Sequence, residues 1–298
     1  MIQSYHIGLE GMLMAEKQYQ ETKKHGSRLF PFNIYPCTIP LDFPAVLVHW
    51  HREMELIYVK KGRGRIQMGM QEFEGKEGDI FVIPPGNLHA IHRAKGFTME
   101  YENIIFEVDF LGGGAADECA GEYLVPLVSG QLLSPVRISC GENDYEKLKV
   151  CLKQMEDLCG EKTVGFELGV KAAALQLLFL LVKKYPHIHH SVSPDMEKLK
   201  MLLQQIEEKT GENLSVGEMA EFCGWSSSHF MRWFKNMTGS SFTSYVNDRK
   251  LASAAENLRR TDNKIVTIAE DAGFSNLSNF NRQFKARYGM TPGEYREK

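Results

Sequence analysis

Apolar positions change their period partway along the chain. Between residues 30 and 110 they fall in short runs, AVLVHW, ELIYV and DIFVIP, separated by the turn-rich pieces KKGRG, FEGKEGD and PPGN. Many short strands at such spacing predict a sandwich or barrel. From about Asp144 the repeat is helical. DYEKLKVCLKQMEDLC (144–159) puts Leu148, Cys151, Leu152, Met155 and Leu158 on one stripe, and VGFELGVKAAALQLLFLLVKKY (164–185) is a second, more apolar helix. Two helices this apolar are expected to pack on the barrel, with the remaining apolar face closing its open end or serving as a dimer surface. PHIHHSVSPD (186–195) breaks the helical pattern and reads as a linker. Its His187, His189 and His190 read as solvated, because no second ligand group is spaced to close a tetrahedral metal site.

Beyond the linker the chain repeats itself. MAEFCGWSSSHFMRWFKNMTG (219–239) lies over IAEDAGFSNLSNFNRQFKARYG (268–289), matching Ala220 with Ala269, Gly224 with Gly273, Trp225 with Phe274, Phe230 with Phe280, Arg232 with Arg282 and Phe234 with Phe284. A short helix, a turn at glycine and a second helix with aromatic residues four apart form a helix-turn-helix pattern. Ser215 with Glu218 predicts a capping box for the first short helix, and Thr291, Pro292 and Glu294 do the same for a final one. The second unit has Lys264 where a capping Ser, Thr or Asp would help.

With Phe230 and Phe234, or Phe280 and Phe284, facing inward, the opposite stripes are Ser228, Arg232, Lys235 and Ser278, Arg282, Lys285. Arginine suits bidentate contact to guanine, serine and asparagine read several base edges, and lysine suits phosphate. One such stripe alone would be a solvated helix face; its repetition points to double-stranded DNA. The connecting stretch SFTSYVNDRKLASAAENLRR (241–260) reads as one helix. At about 30 Å it approaches the roughly 34 Å of one DNA turn, so both second helices could enter successive major grooves.

Charge alters this picture only in its distribution. The net formal charge is −3, but residues 196–298 carry 15 Lys+Arg against 13 Asp+Glu, and residues 1–195 carry 20 against 25. This permits DNA binding by the C-terminal part. Six cysteines without a CxxC pair suit a reduced, cytoplasmic protein. The first residues show no signal-peptide pattern, and the most apolar run, AAALQLLFLLV (172–182), is too short to span a bilayer, so no membrane partner is expected.

AEDAGFSNLSNFNRQFKARYGMTPGEYR closely resembles the signature of the AraC/XylS family of bacterial transcription regulators, and the likeness extends over about Met196 to Lys298. It implies two helix-turn-helix units joined by a long helix, with base-facing positions Ser227, Ser228, Met231 and Arg232 in the first unit and Leu277, Ser278, Asn281 and Arg282 in the second. Met231 and Leu277 depart from polar readers and would offer apolar contact to a thymine methyl.

HWHREME at 49–55 supplies His49, His51 and Glu55, two imidazoles and a carboxylate that a transition metal would accept. In an extended segment these three odd-numbered positions share a face with Leu47, Ile57 and Val59. With the later Gly78, Pro84, Gly86 and His89 the pattern resembles the two motifs of the cupin barrel, which implies that His49, His51, Glu55 and His89 surround one site. Phe43 and Arg93 stand where the cupin pattern has Gly and Asn, which weakens the case for an enzyme more than for a barrel. Three readings are open: a metal enzyme, an effector pocket holding a divalent metal, and a metal-free pocket whose His and Glu bind a sugar or other polar metabolite. The last is favoured, since the family resemblance implies small-molecule effectors, often sugars, in this barrel.

The expectation is therefore a multidomain α and β protein. A cupin-like β-barrel with C-terminal helices (1–185; barrel about 30–110, helices about 142–185) binds the effector and dimerises. A linker (186–195) leads to an all-α tandem helix-turn-helix domain (196–298) that binds DNA.

Overall fold

The computed structural model describes residues 26–112 except 28, 117–185, 194–209 and 214–297. They form two compact units, one within residues 26–185 and one within 194–297. Most of the 186–195 linker lies outside the described residues; its last two positions, Pro194 and Asp195, already begin a helix.

Eight antiparallel strands build the first unit: β1 Phe32–Ile39, β2 Ala45–His49, β3 Met54–Met68, β4 Gln71–Lys76, β5 Ile80–Ile83, β6 His89–Arg93, β7 Met99–Phe106 and β8 Val136–Ile138. β3 organises them. Its first half pairs with β7 and β5, its second half with β4 and β6, and the register slips between Val59 and Lys61 where the strand bends from one sheet to the other. Gly62 follows at φ 80°, and a Cβ there would strike the Thr98 carbonyl, so the bend requires glycine.

Strand alternation divides the apolar residues between two cores. Ile57, Val59, Ile66, Phe81, Ile91 and Tyr101 fill the space between the sheets. Met54, Leu56, Val82, Ile104 and Phe106 point the other way, against α1 (Tyr145–Glu161) and α2 (Phe166–Lys184). Leu148, Cys151, Leu152 and Met155 of the expected stripe are buried in that layer, so the helices do pack on the sheet. No helix of the described residues is long and apolar enough to cross a membrane.

The second unit is helical: α3 Pro194–Glu208, α4 Val216–Phe222, α5 Ser227–Thr238, α6 Phe242–Arg260, α7 Ile265–Asp271, α8 Leu277–Tyr288 and α9 Pro292–Glu297. α6 is a shared spine. Its first turns bring Phe242 and Tyr245 against Phe230 and Phe234 of α5 in edge-on contacts of 5.3–5.5 Å. Its last turns bring Leu251, Ala254, Ala255 and Leu258 against Ile268, Phe280 and Phe284.

The helix starts follow local chemistry. Ser215 and Glu218 form the reciprocal box, Thr291 and Glu294 form another, and Ser226, Ser241 and Asn276 each accept from a backbone amide three residues on. Lys264 makes no such bond.

Candidate functional site

α5 and α8 present equivalent outer faces. Ser227, Ser228, Met231, Arg232 and Lys235 on α5 are all exposed, as are Leu277, Ser278, Asn281, Arg282 and Lys285 on α8. Met231 is 46 % and Leu277 40 % exposed, which leaves both available to a partner. The buried side of each helix is held by its phenylalanines, Phe230, Phe234, Phe280 and Phe284 at 0 % exposure, which fixes the outward direction of the other residues. Neither helix carries an acidic residue, so the exposed arginines and lysines have no competing carboxylate on their own element.

The two units differ in ways the repeat did not reveal. Arg282 donates to the Asn279 side-chain oxygen at 2.9 Å, whereas Arg232 reaches only the Ser228 carbonyl at 3.4 Å. At the position matching Asn279 stands His229, edge-on to Trp225. Trp225 also meets Trp233, whose indole N–H donates to Asp195, and Lys198 lies 4.3 Å over the Trp225 ring. The helix that follows the linker is thus tied to α5 by a hydrogen bond and to the turn before it by a cation–π contact. Trp233 aligns with Gln283 of α8, and that mismatch was the available signal for the asymmetry.

Within the sheets, His49, His51, Glu55 and His89 come together, with one ligand atom from each inside 4.8 Å of the others. The route differs from a shared face of one strand. β2 ends at His49, the chain bends through 51–53, and β3 begins at Met54, so His51 reaches the cluster from a bend. A long-range bond holds that bend: the Gly86 amide, in the Pro84–Pro85–Gly86 turn, donates to the His51 carbonyl at 2.7 Å. The same turn aims His89 at the cluster from the start of β6.

The hydrogen-bond pattern fixes the orientation of the rings. His49 Nδ1 faces the Leu47 carbonyl at 2.9 Å, His51 Nδ1 the Glu53 carbonyl at 3.1 Å and His89 Nδ1 the Asn87 carbonyl at 2.9 Å. A carbonyl only accepts, so each Nδ1 carries a proton and each Nε2 is left to face the cluster. Yet His51 Nε2 and His89 Nε2 lie 2.7 and 2.8 Å from the same Glu55 oxygen. At that distance a proton or a cation lies between each Nε2 and the carboxylate.

Burial works against the Glu55 charge, but the His89 charge and the hydrogen bonds from His51 and His89 overcome it and hold the carboxyl well below its usual range. His51, Glu55 and His89 are all at most 2 % exposed, while His49 is partly open to solvent. Three Nε2 atoms and a carboxylate, each imidazole oriented by a backbone carbonyl, fit a divalent transition metal.

Two further polar groups on β7 face the same interior and were not anticipated. The Tyr101 hydroxyl and the Asn103 side-chain oxygen are buried without a hydrogen-bond partner among the described residues. Both pair across the sheet with interior positions of β3, Val59 and Ile57. Burial, with Cys37 and Glu55 nearby, pushes the Tyr101 hydroxyl well above its ordinary value. Sequence alone could not mark them, since strand alternation distinguishes inside from outside but not satisfied from orphaned.

Comparison with known proteins places both halves. Residues 41–178 match the AraC-like ligand binding domain and residues 219–298 a helix-turn-helix domain. The uncharacterized HTH-type transcriptional regulator YdeC of Bacillus subtilis (strain 168) is 21 % identical over 285 residues, 95 % of this chain and 97 % of that one. An uncharacterized HTH-type transcriptional regulator of Staphylococcus aureus (strain MRSA252) is 33 % identical over 246 residues, 80 % of this chain, which spans only 31 % of that protein's length. Among solved structures, unsaturated fatty acid bound ToxT from Vibrio cholerae aligns with 89 % of this chain and 94 % of its own at a TM-score of 0.47 and 12 % identity.

Proposed function

The chain belongs to the AraC-type transcription regulators, DNA-binding proteins rather than enzymes, and we propose that it reads DNA with α5 and α8 under control of a small molecule sensed between its N-terminal sheets. The observation that carries the DNA reading is the duplicated, exposed and acid-free helix face. Arg232 and Arg282 are assigned to base edges, Lys235 and Lys285 to phosphates, Ser227, Ser228, Ser278 and Asn281 to polar readout, and Met231 and Leu277 to thymine methyls. With DNA selected in vitro and binding followed by fluorescence anisotropy, Arg232→Ala and Arg282→Ala should each cost about 1–3 kcal/mol. Unchanged affinity in both variants would sink this reading.

For the sensor, His49, His51, Glu55 and His89 are proposed to hold a divalent metal. The support is that two imidazole Nε2 atoms converge on one carboxylate oxygen within a cluster whose four ligand atoms lie within 4.8 Å of one another. When bound, the metal would supply a Lewis-acid contact to an oxygen of the effector. Tyr101 and Asn103 then offer a donor and an acceptor for a polar metabolite, a carbohydrate among them. Effector binding shifts the population of DNA-competent states of a homodimer. Elemental analysis of the purified chain and of His51→Ala is the test: metal in the first and its loss in the second is expected. A metal-free wild type whose melting rises with sugars would return the cluster to direct hydrogen bonding of hydroxyls.

A further inference from the structure

We propose that Lys198 is a positioning residue for DNA reading: through it and Trp233 the helix that follows the linker sets α5, while α8 is set independently. The proposal rests on the regulator reading and says which of the two reading helices the linker governs.

Lys198 lies early in α3 and is half-buried. Its Nζ donates to the Cys223 carbonyl at 3.3 Å and stands 4.3 Å over the Trp225 ring. Cys223 is the C-cap of α4, and Gly224, at φ 72°, begins the turn that leads to α5. An ammonium placed there meets the negative end of α4 and the face of an aromatic ring at once. Asp195, three residues earlier on the same face of α3, accepts from the Trp233 indole N–H at 3.2 Å. Trp225 and Trp233 join these two contacts edge-on at 4.8 Å. One face of α3 thus holds the end of α4, the turn and α5 itself, the three parts whose angles aim Ser228 and Arg232.

The second unit supplies an internal comparison. Lys250 of α6 donates to the Gly273 carbonyl at 3.2 Å, so an ammonium from the preceding helix reaches the turn in both units. The surroundings differ. Lys250 is 6 % exposed, in a stretch of α6 whose Leu251, Ala254 and Ala255 belong to the core. Phe274, the counterpart of Trp225, is buried against Phe280 at 5.2 Å, and Gln283 stands where Trp233 would be. α8 is thus aimed by its own core and by α6. α5 is aimed in addition by a helix that begins where the linker ends.

Leu199, Leu202 and Ile206 of α3 are buried, so the helix stays docked when its polar contacts are removed, and aim can be lost without unfolding. A displacement carried along the linker meets Asp195 and Lys198 first. It therefore changes the box of bases read by α5 and leaves the box read by α8 as it was.

The test uses the full chain on DNA selected in vitro. The α5 box is identified as the bases at which Arg232→Ala loses discrimination, and the α8 box by Arg282→Ala. Lys198→Met keeps the stem and removes the ammonium. It should lower affinity at least about five-fold, with discrimination lost in the α5 box, kept in the α8 box, and the melting temperature unchanged. Lys198→Arg should restore both affinity and discrimination, and Trp233→Phe, which keeps a ring and loses the N–H, should repeat the Lys198→Met pattern. Insertion of Gly-Ser-Gly-Ser between Ser193 and Pro194 should alter discrimination in the α5 box alone. Discrimination that Lys198→Met leaves intact, removes equally from both boxes, or removes together with the melting temperature overturns the proposal, as does an insertion that alters both boxes or neither. A wild type that selects no DNA overturns the regulator reading itself, and this proposal with it.

Discussion

Lys264 offers a sharp test of how the two helix-turn-helix units are held. It is the N-cap of α7, with φ −58° and ψ 141°, yet its side chain makes no cap bond. Ser215, its counterpart ahead of α4, sits at φ −95° and ψ 149° and completes a box with Glu218. The backbone at Lys264 is thus already in capping geometry and lacks only an acceptor. Lys264→Ser supplies one for the amide three residues on, worth about 1 kcal/mol. Removing a cation from the positive end of the helix adds roughly 0.3–1 kcal/mol at low ionic strength. In a domain of about 100 residues a gain of 1 kcal/mol raises the midpoint by roughly 4–8 °C. Calorimetry of the full chain should show the helical unit's transition rising by that amount, with greater protection of the α7 amides to hydrogen exchange. Lys264→Asp should exceed Lys264→Ser in dilute buffer and lose its advantage in about 1 M salt, where charges beyond roughly 3 Å are screened. A Lys264→Ser chain that melts at or below the wild type would refute the reasoning, because it would mean that packing of Ile268 and Ala269 alone sets this helix start.

Core and reading face should separate cleanly in the same assay. Phe280→Ala, at 0 % exposure, should cost about 3–5 kcal/mol of stability, while Met231→Ala should stay within roughly 0.5 kcal/mol and instead change sequence preference in selected DNA. The capping boxes predict a pH dependence. The Ser215 amide and hydroxyl hold the Glu218 carboxyl below its ordinary value, and the Thr291 amide and hydroxyl do the same for Glu294. A depressed folded-state pKa means that the contribution is complete above the ordinary glutamate pKa and is lost as pH falls through the lowered one. The Glu218→Gln, Glu294→Gln double variant should therefore show a shallower decline of melting temperature on acidification, and an identical acid limb in both chains would contradict this.

The helical half was legible because its determinants are local. A cap and its amide are three residues apart, a core stripe repeats every three or four, and the duplication states each signal twice. Ser215, Thr291 and the four phenylalanines stand where the sequence pattern put them. The four cluster residues were legible as chemistry, through motif spacing, but His49, His51 and Glu55 were misread as sharing one face of a continuous extended segment. The bend at 51–53 depends on the Gly86 amide, more than thirty residues away, and no local pattern encodes such a bond.

Period, caps and composition thus determined which elements form and which side of each is apolar, since those follow from a few neighbouring residues. Which apolar side is covered, and by what, is a question of distant pairing. β3 could be recognised as strand but not as one serving two sheets. Tyr101 and Asn103 could be recognised as inward-facing but not as lacking partners. α2 could be recognised as apolar all round, but only packing shows that one face lies on the sheet while Leu168, Leu175 and Phe179 remain exposed. Burial and satisfaction are properties of surroundings assembled from across the chain, so they exist only once the fold has closed.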